Sequence, residues 1–430
     1  MNEKEKQSSC PPLDYYEIAK VLIEEYNILS FRGITYVYKD GYYREDNGSI
    51  NKAIMKQLLD GGVKGKESYT NPTTQIKHII SSFTTEEEYP FNKQPSIIPV
   101  RNGVIRFDNQ GNVELVPHSP NYRFTYQLPI TFNLGADIKP VISYLNSTGC
   151  DNDILLQIPA QAIISTWGKT YKKCYLLKGE RNSGKTTFLK MLNTRFFGKD
   201  NCANIQLQDL INEKHSLSGI VGKLVNISDD LPRIKLDDIG QFKALTGGGI
   251  VTINRKYHDT FSYENNSTFI FAANDYPPVS QDDPAFWERW NLIAFNEAHL
   301  IDPSFEERTF TDDFMSGFLN LVIERIKTIL KNGIKSDSYT VTRAKWLNGS
   351  DPFYRFINTE LERDIEAITP IDNIYQHYEK YCKAKSEIPL SSKEFGSRIL
   401  KSSERKQRKI GRKMKWCYLG YRIKQSQQRV

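Results

Sequence analysis

The sequence predicts an α/β chain. Its centre is a P-loop core on parallel strands, preceded by a small α+β unit and followed by a helical module that ends in a β wing. Three observations carry this. Between Ile154 and about Ile329, helical stretches alternate with the short, very apolar runs KCYLLKG, KLVNIS and STFIFAAN. Each run ends beside polar or glycine-bearing residues, as buried parallel strands with crossover helices do. The first run continues directly into Gly179-Glu180-Arg181-Asn182-Ser183-Gly184-Lys185-Thr186-Thr187, which opens a helix carrying Phe188, Leu189, Met191 and Leu192. A chain of 430 residues also exceeds what one core organises. The expected divisions are 1–140, 141–335 and 336–430.

In the first unit, Asp14 to Ile28 has helical periodicity, and ITYVYKDGYYR places two aromatic-rich runs on either side of Asp40-Gly41, a hairpin signal. A second hairpin is expected in VRNGVIRFDNQGNVELVP, interrupted at Asn109, Gly111 and Asn112. In the last unit, DPFYRFINTELERDI, NIYQHYEKYCKAK and SKEFGSRILKSS read as helices, and KWCYLGYRIK as a small wing.

Composition excludes several classes. With 39% hydrophobic and 25% charged residues the chain reads as ordinary globular protein, and no apolar run approaches the roughly 18–20 residues that span a bilayer. MNEKEKQSSCPP lacks the apolar core of a secretory signal, so a cytoplasmic, non-secreted protein without membrane contact is expected. The six cysteines are scattered at positions 10, 150, 174, 202, 382 and 417, which speaks against structural zinc and a disulfide framework. The net charge of +7 is modest, but from Arg398 to Lys415 Glu404 is the single acid among many Lys and Arg. Such a basic run either faces solvent or neutralises phosphates of a duplex.

The P-loop predicts ATP as ligand. Gly179 and Gly184 let the backbone curl so that its N–H groups face phosphate oxygens, Lys185 reaches the β and γ phosphates, and Thr186 can ligate Mg2+. Lys223 to Asp230 is a buried-looking strand ending in two carboxylates. Asp229 is assigned to the metal and Asp230 to the attacking water. The strand from Ser267 to Ala273 ends at Asn274, whose amide could sense the γ-phosphate. Arg289, between Trp287 and Trp290, suits a finger that stabilises transition-state charge in a neighbouring subunit's site; a structural ion pair or an aromatic stack is the competing use.

The ordered set of P-loop, two acids, TGG-containing loop, strand ending in Asn and WxR followed by an apolar run resembles the superfamily 3 helicases, whose core is of the AAA+ type. GERNSGKTT, GKLVNISDDLP and FKALTGGGIVTINRKYHDTFSY leading to FIFAANDYPPV are most similar to the helicase part of poxvirus, phage and plasmid primase-helicases. The likeness is firm from Ile154 to about Phe295 and weaker through VRNGVIRF and NYRFTYQLPITF upstream and towards a winged-helix end downstream. Asp230 stands where members often carry Glu. About 140 residues leave little room for a polymerising domain, so primer synthesis is left to a separate primase or polymerase.

Ile250 to Tyr263 alternates apolar and polar residues around a basic tip. The resemblance implies that this hairpin projects Arg255, Lys256, Tyr257 and His258 into the channel of a homo-oligomeric ring, six subunits in the family, where they grip single-stranded DNA. It also implies ATP hydrolysis at subunit boundaries, 3′ to 5′ movement on forked DNA, and a place in the replication of a virus, plasmid or integrated element. The alternative is an initiator or loader that melts DNA without processive unwinding.

Overall fold

The computed structural model describes residues 13–63, 70–92, 94–108, 111–213, 216–236, 239–254, 260–279 and 282–424. The chain opens with helix α1 (Tyr15–Tyr26), started by the Asp14 carboxylate accepting from two backbone N–H groups and stopped by Asn27 at φ 45°. Strands β1 (Leu29–Phe31), β2 (Ile34–Lys39) and β3 (Tyr42–Glu45) form an antiparallel sheet in that order. Lys39 pairs with Tyr42, and the two residues between them, Asp40 and Gly41, both have positive φ, 54° and 95°. That is the turn that Asp-Gly between strands favours. Helices α2 (Ser49–Asp60) and α3 (Thr70–Thr84) pack on α1 around Leu22, Ile54, Leu58, Ile76 and Ile80.

Strands β4 (Ile97–Val100), β5 (Gly103–Phe107) and β6 (Val113–Val116) form a meander, and the expected second hairpin is its β5–β6 limb. Helices α4 (Lys139–Ser147) and α5 (Asn152–Thr166) follow, the latter buried from Leu155 to Ser165. The core does not break at residue 140. Ile98, Val104, Tyr126 and Leu128 join the same apolar cluster as α5 and the central sheet, and the Trp167 indole donates to the Ile97 carbonyl at 3.1 Å.

The centre contains β7 (Cys174–Gly179), α6 (Lys185–Met191), β8 (Cys202–Ala203), α7 (Leu207–Asn212), β9 (Val225–Ser228), α8 (Gly240–Thr246), β10 (Ile250–Ile253), β11 (Phe261–Glu264), β12 (Thr268–Ala273), α9 (Pro284–Trp287) and β13 (Trp290–Phe295). Five of these strands form one parallel sheet in the order β13-β7-β12-β9-β8. The three apolar runs of the sequence are β7, β9 and β12, and a period of two explains why they are apolar throughout. Tyr175 and Leu177 face the cluster shared with α5 and α11 (Asp312–Asn332), whereas Cys174 and Leu176 face the cluster shared with α7 and α8. One polar group inside this sheet, Asn226, is fully employed, accepting from the Ile205 N–H and donating to the Ile205 carbonyl, as a buried amide must be.

Helix α10 (Phe305–Thr309) precedes α11, and α12 (Tyr339–Ser350) leads into the last unit. There α13 (Pro352–Glu360), β14 (Leu361–Pro370), α14 (Ile371–Ala384), α15 (Ser392–Ile399), β15 (Glu404–Ile410) and β16 (Lys413–Ile423) share a core around Phe356, Tyr378, Phe395 and Tyr418. The expected helix over DPFYRFINTELERDI is corrected: it ends at Glu360, and Leu361 onward is a strand because Leu361 pairs with Ile423 and Glu362 with Arg422. The wing is wider than KWCYLGYRIK, since ERKQRKI is a strand in full register with it. Among the described residues, no helix is long and apolar enough to cross a membrane.

Candidate functional site

Strand β7 delivers its last residue, Gly179, to the carboxyl edge of the sheet. A Cβ there would lie 2.3 Å from the Phe295 carbonyl oxygen, so only glycine lets the chain turn beside β13. Asn182 and Gly184 have φ of 61° and 87°, and the loop feeds α6 at Lys185. Glu180, Arg181 and Asn182 are exposed, Ser183 is buried, and Thr186 and Thr187 occupy the first turn of α6 with Thr186 facing solvent. The Lys185 ammonium donates to the Glu180 carbonyl at 2.9 Å, the Ser183 hydroxyl at 3.3 Å and the Asn274 side-chain oxygen at 3.3 Å, and also to the Gly179 carbonyl. Burial holds this ammonium below the usual lysine range, opposed by nearby Glu180. A desolvated cation held by neutral oxygens is favourable ground for a multiply charged anion.

The acids and the amide reach the same edge through strand register. Ala273 on β12 stands opposite Lys178 on β7, and Ser228 on β9 stands opposite Phe271 on β12. Asn274, Gly179, Asp229 and Asp230 therefore all leave the carboxyl ends of adjacent parallel strands, the place where open α/β sheets bind ligands. Asp229 and Asp230 are exposed, and Leu231 anchors them by donating to the Ala272 carbonyl at 2.9 Å. The donor set fits a nucleotide with a divalent metal: a glycine-walled loop that a Cβ would fill, one lysine, one hydroxyl on a helix's first turn and an open carboxylate pair. Thr186 and Asp229 are placed so that they could ligate such a metal, and a small divalent ion commonly keeps one or two protein ligands and fills its shell from phosphate and water. No cluster of three or more His, Cys, Asp or Glu exists among the described residues, and such a site requires none.

Arg289 lies elsewhere. Trp290 pairs with Cys174 at the amino end of β7, so Arg289 sits about six residues, roughly 20 Å at ~3.3 Å per residue, from the P-loop of its own chain. The tryptophans do not hold it: Trp287 and Trp290 turn into the core against Phe286 and Trp346. Its guanidinium instead donates to the Thr246 hydroxyl at 2.8 Å, the Lys243 carbonyl at 3.2 Å and the Ala285 carbonyl. It thereby closes the C-terminus of α8, where carbonyls lack helical partners and a cation is favoured. Beside it a cleft of about 500 Å³ is lined by Tyr171, Lys173, Glu288, Arg289 and Tyr339.

Strands β10 and β11 form the stem of the expected hairpin, in register from Ile250↔Glu264 to Ile253↔Phe261. Its tip residues Arg255, Lys256, Tyr257 and His258 lie outside the described residues. The stem starts directly after Gly247–Gly249, next to the helix end that Arg289 closes. Arg32, from the turn between β1 and β2, stacks on the Phe261 ring at 5.3 Å.

Two residues escaped sequence reasoning. His299 donates its backbone N–H to the Asn182 carbonyl at 2.9 Å, and its ring lies 3.4 Å from where a Gly184 Cβ would be. It covers the P-loop from 115 positions downstream of Gly184, and no local pattern marks it. Lys173 lines the cleft with Arg289 and donates to the Glu288 carbonyl; its place one residue before β7 was its only signal.

A family model described as "D5 N terminal like" matches residues 19–167, one described as "Family of unknown function (DUF5906)" matches 177–289, and one described as "Poxvirus D5 protein-like" matches 348–425. A Sputnik virophage protein named "Putative helicase V13" is 24% identical over 242 residues, which is 51% of this chain and 29% of the relative. The chain thus spans less than a third of that relative's length. Two apo structures of the NrS-1 C-terminal region align over 95% of this chain and 99% of theirs, with TM-scores of 0.49 and 0.46 and identities of 12% and 14%. The D5-type regions on both sides of the P-loop unit, together with the virophage relative, mark this chain as similar to viral and phage primase-helicases.

Proposed function

We propose that the chain is the ATP-hydrolysing DNA helicase of a replicating virus, plasmid or mobile element, of the superfamily 3 type. Its central unit would be an AAA+ core, its last unit a winged-helix-like module, and its place the host-cell interior. The observation that carries this reading is the meeting of Lys185, Asn274, Asp229 and Asp230 at one sheet edge, with a hairpin stem rising between the acids and Asn274 in sequence. In this reading Lys185 and the P-loop N–H groups hold the phosphates, and Asn274 and Asp230 orient the water, with Asp230 taking its proton as the terminal phosphate leaves ADP. Thr186 and Asp229 would hold Mg2+, which would offset phosphate charge. Arg289 cannot reach the site of its own chain, so it would serve the site of the next copy, and hydrolysis would require a ring, six copies by likeness. Arg255, Lys256, Tyr257 and His258 would hold single-stranded DNA and move along it, and a separate primase would lay primers.

The test is ATP turnover of the full chain with and without single-stranded DNA, followed by strand displacement on a fork. DNA should raise turnover, Lys185→Ala should abolish it, and Arg255→Ala/Lys256→Ala should keep basal turnover while losing the stimulation. A parent protein that DNA leaves unstimulated overturns the motor. Stimulation without fork displacement turns the reading to an initiator or loader.

A further inference from the structure

Seven of the eleven residues from Arg405 to Lys415 are Lys or Arg, and the fold gives them a definite shape. β16 has β14 on one side only as far as Cys417, which pairs with Pro370. Beyond it β15 is the sole neighbour among the described residues, through Gln407↔Trp416, Arg408↔Lys415, Lys409↔Met414 and Ile410↔Lys413. These four pairs form a free two-stranded ribbon, roughly 13 Å long at ~3.3 Å per residue, closed by Gly411 at φ 62°.

Side chains alternate across such a ribbon. Arg408, Lys413 and Lys415 share one face with Lys406; Arg405 and Lys409 share the other with Trp416 and Met414. Every residue of β15 is exposed, and Met414 and Trp416 are 62% and 47% exposed. The Arg405 guanidinium rests 4.6 Å from the Trp416 ring. Lys406 pairs with Glu404 at 3.1 Å; among the described residues no carboxylate reaches Arg408, Lys409, Arg412, Lys413 or Lys415. Arg408 and Lys415 even stand directly opposite each other, a like-charge pair that weakens the ribbon unless an anion lies between or beside them.

We infer that this ribbon is a duplex DNA-binding arm that inserts between the two phosphate rows of a groove. Cations on one face would suit a single strand laid flat. Cations on both faces suit a body with phosphates on either side, and the major groove, about 12 Å wide, admits a two-stranded ribbon. Trp416 and Met414 then meet sugar and base edges instead of water. Helix α15 contributes less charge: Arg398 is committed to Asp351 and Glu394, which leaves Lys393 as its exposed cation. The arm is distinct from the β10–β11 hairpin and needs no nucleotide.

The experiment is fluorescence anisotropy of the full chain without nucleotide, against a short labelled duplex and against one of its separated strands, over a range of salt. Changing Arg408, Lys409, Lys413 and Lys415 together to Gln should weaken duplex binding by about 30-fold or more and lower the salt dependence of log K by about 3.6, at roughly 0.9 for each of the four lost phosphate contacts. Single-strand affinity and DNA-free ATP turnover should stay within about twofold. A charge-keeping control, Arg408→Lys with Lys413→Arg and Lys415→Arg, should retain duplex binding and guards against loss of fold. Unchanged duplex binding and salt slope in the Gln variant overturns the arm; equal loss on duplex and single strand overturns the groove.

Discussion

Lys185 and Asn274, 89 positions apart in the chain, meet 3.3 Å apart at the carboxyl edge of the central sheet. The pair joins the residue that would hold phosphate to the one that would sense it, so their losses should differ in kind. Lys185→Ala should abolish measurable nucleotide binding. Asn274→Ala should bind nucleotide within about threefold of the parent while turnover falls about 10- to 100-fold, the range for one lost polar group acting mainly in the transition state. Calorimetric titration with ADP beside steady-state kinetics separates the two.

Gly179→Ala places a methyl group where the Phe295 carbonyl lies 2.3 Å away. Either β13 or the loop must shift, which should cost about 1–3 kcal/mol in urea unfolding and disorder the nucleotide site. Gly62, at φ 85° with open space around it, is the comparison: Gly62→Ala should cost about 1 kcal/mol and leave nucleotide binding unchanged.

Arg289 supports two distinct measurements. Removing its side chain leaves the Lys243 and Ala285 carbonyls and the Thr246 hydroxyl without their donor, so Arg289→Ala should lower stability by about 1–3 kcal/mol. If it also serves a neighbouring copy, mixing inactive Lys185→Ala protein with inactive Arg289→Ala protein should restore part of the turnover. Mixtures that remain silent at every ratio would leave the arginine with its structural duty alone.

Asp282 receives two bonds from the Arg343 guanidinium, at 2.6 and 2.7 Å, and one from the Trp287 indole at 3.0 Å. The Arg343 bonds come first among the causes that hold its carboxyl below the usual range. A lowered carboxylate stabilises the fold above its unfolded pKa and stops doing so as pH falls through the folded value. Asp282→Asn should therefore be less stable than the parent at pH 7, and the gap should close below about pH 4. Urea midpoints across that range check this.

Local chemistry was readable in advance and distant pairing was not. Asp40-Gly41 announced its hairpin because two consecutive positive φ angles suit few residue pairs. The P-loop was legible for the same reason, since glycine spacing and an adjoining strand are local signals. LERDI, by contrast, continues the helical pattern before it; its partner is 62 positions away at Ile423, and tertiary pairing overrides a weak periodic pattern. ERKQRKI carries no apolar alternation at all, because both of its faces are exposed, so its sequence shows a basic run and gives no sign of a strand. The sequence reads Arg289 as held between the adjacent indoles, but the groups that hold it are the Thr246 hydroxyl and two backbone carbonyls near α8, since burial directs the indoles inward.

The distance between the P-loop and Arg289 has a kinetic consequence. On the reading that one copy supplies the phosphate cradle and the next supplies the arginine, a solitary chain carries two half-sites at opposite ends of β7, too far apart to meet. Specific activity should then rise steeply with protein concentration and collapse on dilution, so that assembly itself acts as the switch for turnover.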